Sequence, residues 1–264
     1  MTRAGWIGTG EMGVPMCQRL LSAGVPVTVW NRTRSKTSAL AASGAQVADA
    51  IAAIRADLVF ITVTGSADVA EVVAGPGGLL SARQPPSLIV NCSTVSQEAS
   101  ADLRAVAADR GVAFLAAPIS ASSSMIAAGG AAIVASGPAP AFERARPYLE
   151  LIAGTVVYAG PGESAILLKL CSNVLMGGFT QLLYEVAALA EQGGVQGSAF
   201  FDFINGSPIG SPYSVFKSKQ FADGATTLTP HRRHLMQRDF DACLDVAHAL
   251  DVPVALSELA RELI

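Results

Sequence analysis

Trp6-Ile7-Gly8-Thr9-Gly10-Glu11-Met12-Gly13 places three glycines at GxGxxG spacing, directly behind an apolar run at 4–7 and ahead of a helical pattern through Met16 and Leu20. Each glycine has a separate task in a strand-to-helix turn. Gly8 allows the tight turn, Gly10 lets the backbone approach a pyrophosphate, and Gly13 lets the helix pack on the strand. Backbone amides at the helix start then face the phosphates. With the strand before it, the helix after it and a second strand at 25–30, the stretch predicts a dinucleotide-binding Rossmann unit, with Thr9, Glu11 and Met12 also in the cofactor loop.

Outward from that loop the pattern repeats. Apolar runs at 4–7, 25–30, 58–63, 88–91, 113–115 and 131–135 are bounded by Gly, Pro, Asn or Ser and read as buried strands. Helical periodicity fills 14–23, 35–43, 67–73 and 97–110. Strand and helix in alternation call for a parallel sheet wound on both faces. After Gly160-Pro161-Gly162 the strand signals fade, and helices follow at 165–192, 199–204, 214–222 and 231–249. The expected fold class is therefore α/β: a Rossmann domain over 1–161, then an all-helical domain over 162–264 that begins with a long connecting helix. Neither an internal repeat nor a low-complexity segment is evident, although 120–124 is serine-rich.

Composition narrows the function. At 264 residues the chain has room for one large or two ordinary domains with a full core. Lys and Arg total 18 against 21 Asp and Glu, a net charge of -3, which gives no electrostatic footprint for nucleic acid. With 51% hydrophobic and 15% charged residues the chain is far from a disordered composition. The greasiest stretch, 165–190, is interrupted by Lys169, Asn173, Gln181 and Glu185, so no membrane span is expected. Glu11 stands where a secretory core would be apolar, and Cys17, Cys92, Cys171 and Cys243 lack CxxC spacing. A cytoplasmic protein with reduced thiols is the expectation.

Two further patterns carry chemistry. At the end of the second strand, where NAD enzymes offer a carboxylate to the ribose, this chain has Asn31-Arg32-Thr33-Arg34 and then Lys36. Arg32 can fork onto a 2'-phosphate with Thr33 and Lys36 assisting, which favours NADP(H) as cofactor; the alternative is a set of solvated loop charges, a description that suits Arg34 better than Arg32. On the long helix, Lys169 and Asn173 are four apart on one face, with Ser172 and Thr180 near the same stripe and apolar residues elsewhere. A buried lysine is costly unless it has a partner or a task, and burial lowers a lysine pKa from about 10.4 toward neutrality, where the amine can give and take a proton. The alternative is a lysine that snorkels from the helix edge, and periodicity alone does not separate the two.

These motifs, with Pro15-Met16, Asn91-Cys92-Ser93-Thr94, Ala117-Pro118-Ile119-Ser120 and Arg238-Asp239 in the same order, give a chain that resembles the 3-hydroxyisobutyrate dehydrogenase family of 3-hydroxyacid dehydrogenases, its glyoxylate and succinic semialdehyde reductase branch in particular. The resemblance covers most of the chain. It implies a site in the cleft between the two domains. Lys169 would be the proton donor and acceptor with Asn173 beside it. Ser120, Ala121 and Ser122 would hold the carboxylate of a small anionic carbonyl substrate. Val63, Thr64, Thr94 and Arg238 would serve on the cofactor side, Thr94 by the nicotinamide ribose. Four positions depart from the family pattern and bear on specificity. Ala121 replaces a glycine and restricts the backbone, Ala116 replaces a common acidic residue, Ser172 an asparagine and Arg238 a lysine.

Other candidates weigh less. His231 and His234 with Asp239 lack a further close histidine or cysteine, and Arg232 and Arg233 lie between the histidines, so no metal is expected. His248 reads as a helix residue, Tyr184 and Glu185 as packing and solvent face. The serine-rich segment lacks a GxSxG elbow. The expectation is an NADPH-dependent reductase of small semialdehydes or keto acids. Its rivals are an imine reductase, which usually has Asp or Tyr in place of Lys169, and a non-catalytic dinucleotide-binding scaffold. The apolar helices of the second domain imply a homodimer or a larger even assembly.

Overall fold

The computed structural model describes residues 2–223 and 229–264, apart from the side chains of residues 231 and 232. Six strands, β1 (Ala4–Ile7), β2 (Val27–Trp30), β3 (Gln46–Val47), β4 (Leu58–Ile61), β5 (Leu88–Asn91) and β6 (Ala113–Ala116), form one sheet in the order β3-β2-β1-β4-β5-β6. Every pairing is parallel, and Ile7 is in register with Trp30 on one side and Ile61 on the other. β1, β4 and β5 are buried along their whole length, as strands covered on both faces must be. The helices that follow in the chain are α1 (Gly13–Ser22), α2 (Ser38–Ala42), α3 (Ser66–Ala74) and α4 (Gln97–Ala108). The order reverses between β1 and β4, which opens a crevice at the carboxyl ends of those strands, where ligands of such sheets bind.

The run at 131–135 is a strand but does not join the parallel sheet. With β7 (Ile119–Ser120) and β9 (Thr155–Tyr158) it forms a second sheet as β8 (Ala132–Ala135), antiparallel to β7 and parallel to β9. Pro118 explains the break. It has no N–H to extend the β6 ladder, and its carbonyl instead accepts from Val134 N at 3.3 Å. An isolated bridge, Ala116 to Ser136, ties the two sheets together. The short α5 (Ser123–Ala127) and the longer α6 (Ala139–Ile152) fill out this region. α6 carries Pro147 in its interior, yet buries Phe142, Ala145, Tyr148, Leu149 and Ile152 along one face. That apolar face outweighs the hydrogen bond the proline removes. The Cys17 and Cys92 thiols lie in the core, and burial pushes both up to about 12.

The helical part comprises α7 (Ser164–Gln192), α8 (Gly197–Gly206), α9 (Pro212–Ala222), α10 (Pro230–Ala249) and α11 (Ala255–Leu263). The chain divides into two compact units, residues 1–169 and 170–264, with the border inside α7. Over an 18-residue window α7 has a mean hydropathy of 1.4, so by length and composition alone it is apolar enough to cross a membrane. Within the second unit Val174, Phe240 and Ala260 pack together, as do Leu183, Ala187 and Phe201. Gly177 lets α7 and α10 approach, since a Cβ there would stand 2.5 Å from the Phe240 ring.

Candidate functional site: a dinucleotide crevice and a polar helix face

The glycine loop is built to its limits. Gly8 has φ +94°, and a Cβ on it would lie 2.1 Å from the Thr62 carbonyl oxygen. One on Gly13 would lie 2.1 Å from the Gly8 carbonyl oxygen and 2.5 Å from Thr62 Oγ1. Both positions therefore exclude any side chain. Gly10 differs, because a Cβ there would meet nothing within 4 Å. Its missing side chain matters for what approaches from outside.

The carbonyl of Gly8 is fixed by two side-chain donors. Thr62 Oγ1 donates to it at 2.6 Å and Trp6 Nε1 at 3.0 Å, and Trp6 Nε1 also reaches Thr62 Oγ1 at 2.9 Å. Trp6 is itself stacked on Phe60 with ring centroids 5.0 Å apart. Asn31 at the end of β2 braces the loop from the other side. Its Oδ1 accepts from Thr9 N at 2.9 Å while its Nδ2 donates to the Thr33 carbonyl at 2.9 Å. Asn31 thus holds the loop in shape.

The loops behind β4 and β5 are tied as closely. Val63 N donates to Ser93 Oγ at 2.9 Å, and Ser93 N donates to Asn91 Oδ1 at 3.1 Å. Ser96 N donates to Ser66 Oγ at 3.2 Å, joining the starts of α3 and α4. Val63 and Thr94 are half-buried and Thr64 is exposed, all just beyond the carboxyl ends of their strands. The structure therefore gathers Gly8, Thr9, Gly10, Asn31, Val63 and Thr94 around one end of the parallel sheet.

A dinucleotide fits this end on three counts. The first turn of α1 has no acidic residue and no side-chain cap, so the Gly13 amide and the helix dipole face a phosphate there. Thr9 Oγ1 is buried without a hydrogen-bond partner among the described residues. The space at Gly10 is open to the approach of a pyrophosphate. Glu11 is exposed and Met12 half-buried.

Beyond β2, Arg32, Thr33 and Lys36 are exposed. Arg32 forms an ion pair with Asp68 of α3 at 3.2 Å and a longer one with Glu71 at 4.0 Å. Arg34 is paired with Asp49 on the surface, in keeping with a solvated charge.

In the segment expected to meet the substrate, Ser120 ends β7 opposite Ala132. Ser122 is the N-cap of α5, accepting from Met125 N at 3.3 Å and sharing a hydrogen bond with Ser124 at 2.9 Å. Its hydroxyl is thus engaged in a local turn. Among the described residues Asp251 is the one non-glycine with positive φ, so the backbone at Ala121 is one that any residue adopts, and its methyl packs on the core.

Lys169 lies on the second turn of α7 and is buried, with 9% of its surface exposed. Most of its surface is thus withdrawn from solvent. One turn on, Asn173 Nδ2 donates to Asp239 Oδ2 at 2.7 Å. An acceptor-only carboxylate fixes which end of the amide is nitrogen, so Oδ1 is turned away from Asp239. Asp239 is buried and also takes Arg238 at 3.1 Å, so Arg238 is engaged within the helical unit. Thr180 shares a hydrogen bond with Tyr213 at 2.7 Å. His248 pairs with Glu258 at 3.1 Å on the surface, and the His231 side chain lies outside the described residues.

Sequence reasoning passed over Trp6, Thr62 and Ser93 as site-building residues and did not pair Asp239 with Asn173. Their partners are 56, 54, 30 and 66 residues away in sequence, beyond any local pattern.

Comparison with known proteins agrees with this geometry. Residues 3–160 match the model of the NAD binding domain of 6-phosphogluconate dehydrogenase, and residues 163–264 match that of the NAD-binding domain of NADP-dependent 3-hydroxyisobutyrate dehydrogenase. An uncharacterized oxidoreductase, YfjR, of Bacillus subtilis is 31% identical over 97% of this chain and 90% of its own length. Glyoxylate/succinic semialdehyde reductase 2 of Arabidopsis thaliana is 27% identical over 98% of this chain and 73% of its own. Among solved structures, Psf3 in complex with NADP+ and 2-OPP superposes with a TM-score of 0.86 at 26% identity, covering 98% of this chain and 92% of that one. With a glycine loop that admits a dinucleotide and a helical region matching the same enzymes from end to end, the chain belongs to the 3-hydroxyisobutyrate dehydrogenase family of NAD(P)-dependent 3-hydroxyacid dehydrogenases.

Proposed function

We propose that the protein is an NADPH-dependent reductase that converts the aldehyde or keto group of a small carboxylate-bearing molecule to the alcohol. The observation that carries this reading is the burial of Lys169 on α7. A lysine kept out of water on a largely apolar helix is costly to retain unless it has a partner or a chemical task. When bound, the reduced nicotinamide supplies a hydride to the carbonyl carbon. The protein has to supply the proton.

Lys169 gives a proton from its ammonium to the carbonyl oxygen as charge develops there, then regains one from solvent. Asn173, clamped by Asp239, offers an oriented amide to the same oxygen or to the amine. Ser120 and the backbone beyond it hold the substrate carboxylate. Ser122 contributes through the shape of its capped turn. Gly8 to Gly13 hold the pyrophosphate and Thr94 the nicotinamide ribose. Arg32, with Thr33 and Lys36 beside it, meets the 2'-phosphate. In domain terms, 1–161 binds NADP(H), and 162–264 serves the substrate and dimerisation. The retained lysine favours carbonyl over imine chemistry and catalysis over a scaffold role.

Glyoxylate and succinic semialdehyde are the first substrates to test, given the Arabidopsis relative. NADPH absorbance should fall when either is added. A charge-assisted bond to the extra phosphate should make NADPH about ten times more efficient than NADH. Equal efficiency with both would set aside the role of Arg32, and no turnover across small semialdehydes and keto acids would set aside the substrate class.

A dimer is part of the proposal. Leu168, Leu175, Leu182 and Leu189 follow one another at seven-residue spacing on α7 and are 48%, 75%, 60% and 72% exposed. Such a stripe is the pattern of a helix that packs against another chain. Sedimentation at micromolar concentration should show at least twice the 27.0 kDa chain mass, and a purely monomeric profile would contradict it. A cytoplasmic site of action is proposed as well, on the free state of all four cysteines.

A further inference from the structure

Arg32 is the cation best placed to tell NADPH from NADH, yet it is already paired. Its Nη1 lies 3.2 Å from Asp68 Oδ1 and 4.0 Å from Glu71 Oε2, both on α3. We propose that Asp68 sets the strength of NADPH binding by competing with the 2'-phosphate for the Arg32 guanidinium. The inference rests on the reading that Arg32 meets that phosphate, and it adds a residue 36 positions away that no motif connects to the cofactor.

Three features support competition over a purely structural ion pair. The Arg32 side chain is 75% exposed and the Asp68 side chain 30%, so the pair sits in screened solvent and is weak enough to exchange partners. Asp68 does not depend on Arg32 for its place. It lies in the first turn of α3, where the helix dipole favours a carboxylate. Of the neighbouring cations, Arg34 is bound to Asp49, and Lys36 offers a point charge where Arg32 offers a fork. If the guanidinium stayed on Asp68 while taking the phosphate, two anions would stand close together, which electrostatics opposes. NADH has a hydroxyl at the same position, so it leaves the pair intact and incurs no such cost. Asp68 therefore lowers affinity for the phosphorylated cofactor alone.

The test is a set of calorimetric titrations of the whole protein with NADPH, NADH, 2',5'-ADP and 5'-AMP, at low and high KCl. Asp68→Asn keeps a residue suited to a helix start, and circular dichroism checks its fold. It should bind NADPH and 2',5'-ADP about 2- to 5-fold more tightly, with NADH and 5'-AMP unchanged, and the gain should shrink at high salt. Arg32→Ala should weaken the two phosphorylated ligands, and in that background Asp68→Asn should have no effect. A folded Asp68→Asn protein with unchanged or weaker NADPH binding would overturn the proposal. So would a gain that persists without Arg32, since that would show plain repulsion. If Arg32→Ala itself left NADPH affinity intact, the underlying assignment of Arg32 would fail instead, which keeps the two failures distinct.

Discussion

Lys169→Ala is expected to cut kcat by roughly 10²- to 10⁴-fold, the usual share of general acid catalysis, while NADPH affinity stays at the wild-type level. The expectation follows from position. Lys169 is buried on the second turn of α7, a helix with few polar groups on its other faces, and Asn173 follows one turn later, held by a 2.7 Å bond to Asp239. Loss of the ammonium removes the proton source at the moment the carbonyl oxygen gains charge. The glycine loop, Asn31 and Arg32 are untouched. Lys169→Met, which keeps most of the volume of the stem, separates chemistry from packing: both variants should be equally slow if the amine matters. Stopped-flow NADPH oxidation with a saturating semialdehyde measures the step, and wild-type turnover in a folded Lys169→Met protein would remove the assignment.

The glycine loop yields the second large effect, and it divides by position. Gly13→Ala places a Cβ 2.1 Å from the Gly8 carbonyl oxygen and 2.5 Å from Thr62 Oγ1, and neither atom is the free end of a flexible chain. α1 must then move off β1, at a cost of about 1–3 kcal/mol or more, which for a chain of this size lowers Tm by several degrees. Gly10→Ala introduces a Cβ into open space and should melt like the wild type. It should still bind NADPH at least about tenfold more weakly, because the methyl takes the place of the approaching pyrophosphate. Thermal melts and cofactor titrations on the two variants read stability and binding apart. Normal NADPH affinity in Gly10→Ala would mean that the dinucleotide does not cross the loop there.

Much of this was legible in the chain itself, for identifiable reasons. β1, β4 and β5 are continuous apolar runs, and strands buried on both faces leave that signature however they pair. The GxGxxG spacing states its own geometry, since only glycine survives at Gly8 and Gly13. Lys169 and Asn173 stood out because a helix brings i and i+4 together without help from the rest of the fold.

What escaped notice depends on distant partners. Thr62 matters because its hydroxyl finds the Gly8 carbonyl, and Asp68 because α3 brings it to Arg32. Asp239 matters because α10 carries it to Asn173. α6, which the sequence analysis does not mark, holds because the buried face of Phe142, Tyr148 and Leu149 outweighs the local penalty of Pro147. The place of β8 turned on Pro118, which ends the parallel ladder before the chain reaches 131–135. Ala121 stands where the family pattern has a glycine, and its backbone lies outside the left-handed region that would demand one.

The most direct test of hydride transfer from a dinucleotide to a carbonyl carbon is the fate of a labelled hydrogen. NADPH deuterated at the transferable C4 position should be consumed with succinic semialdehyde or glyoxylate and leave one deuterium on the hydroxyl-bearing carbon of the product, as mass spectrometry would show. Product formed without deuterium from either face of the ring, or no product from any small aldehyde or keto acid in the presence of bound NADPH, would contradict the account.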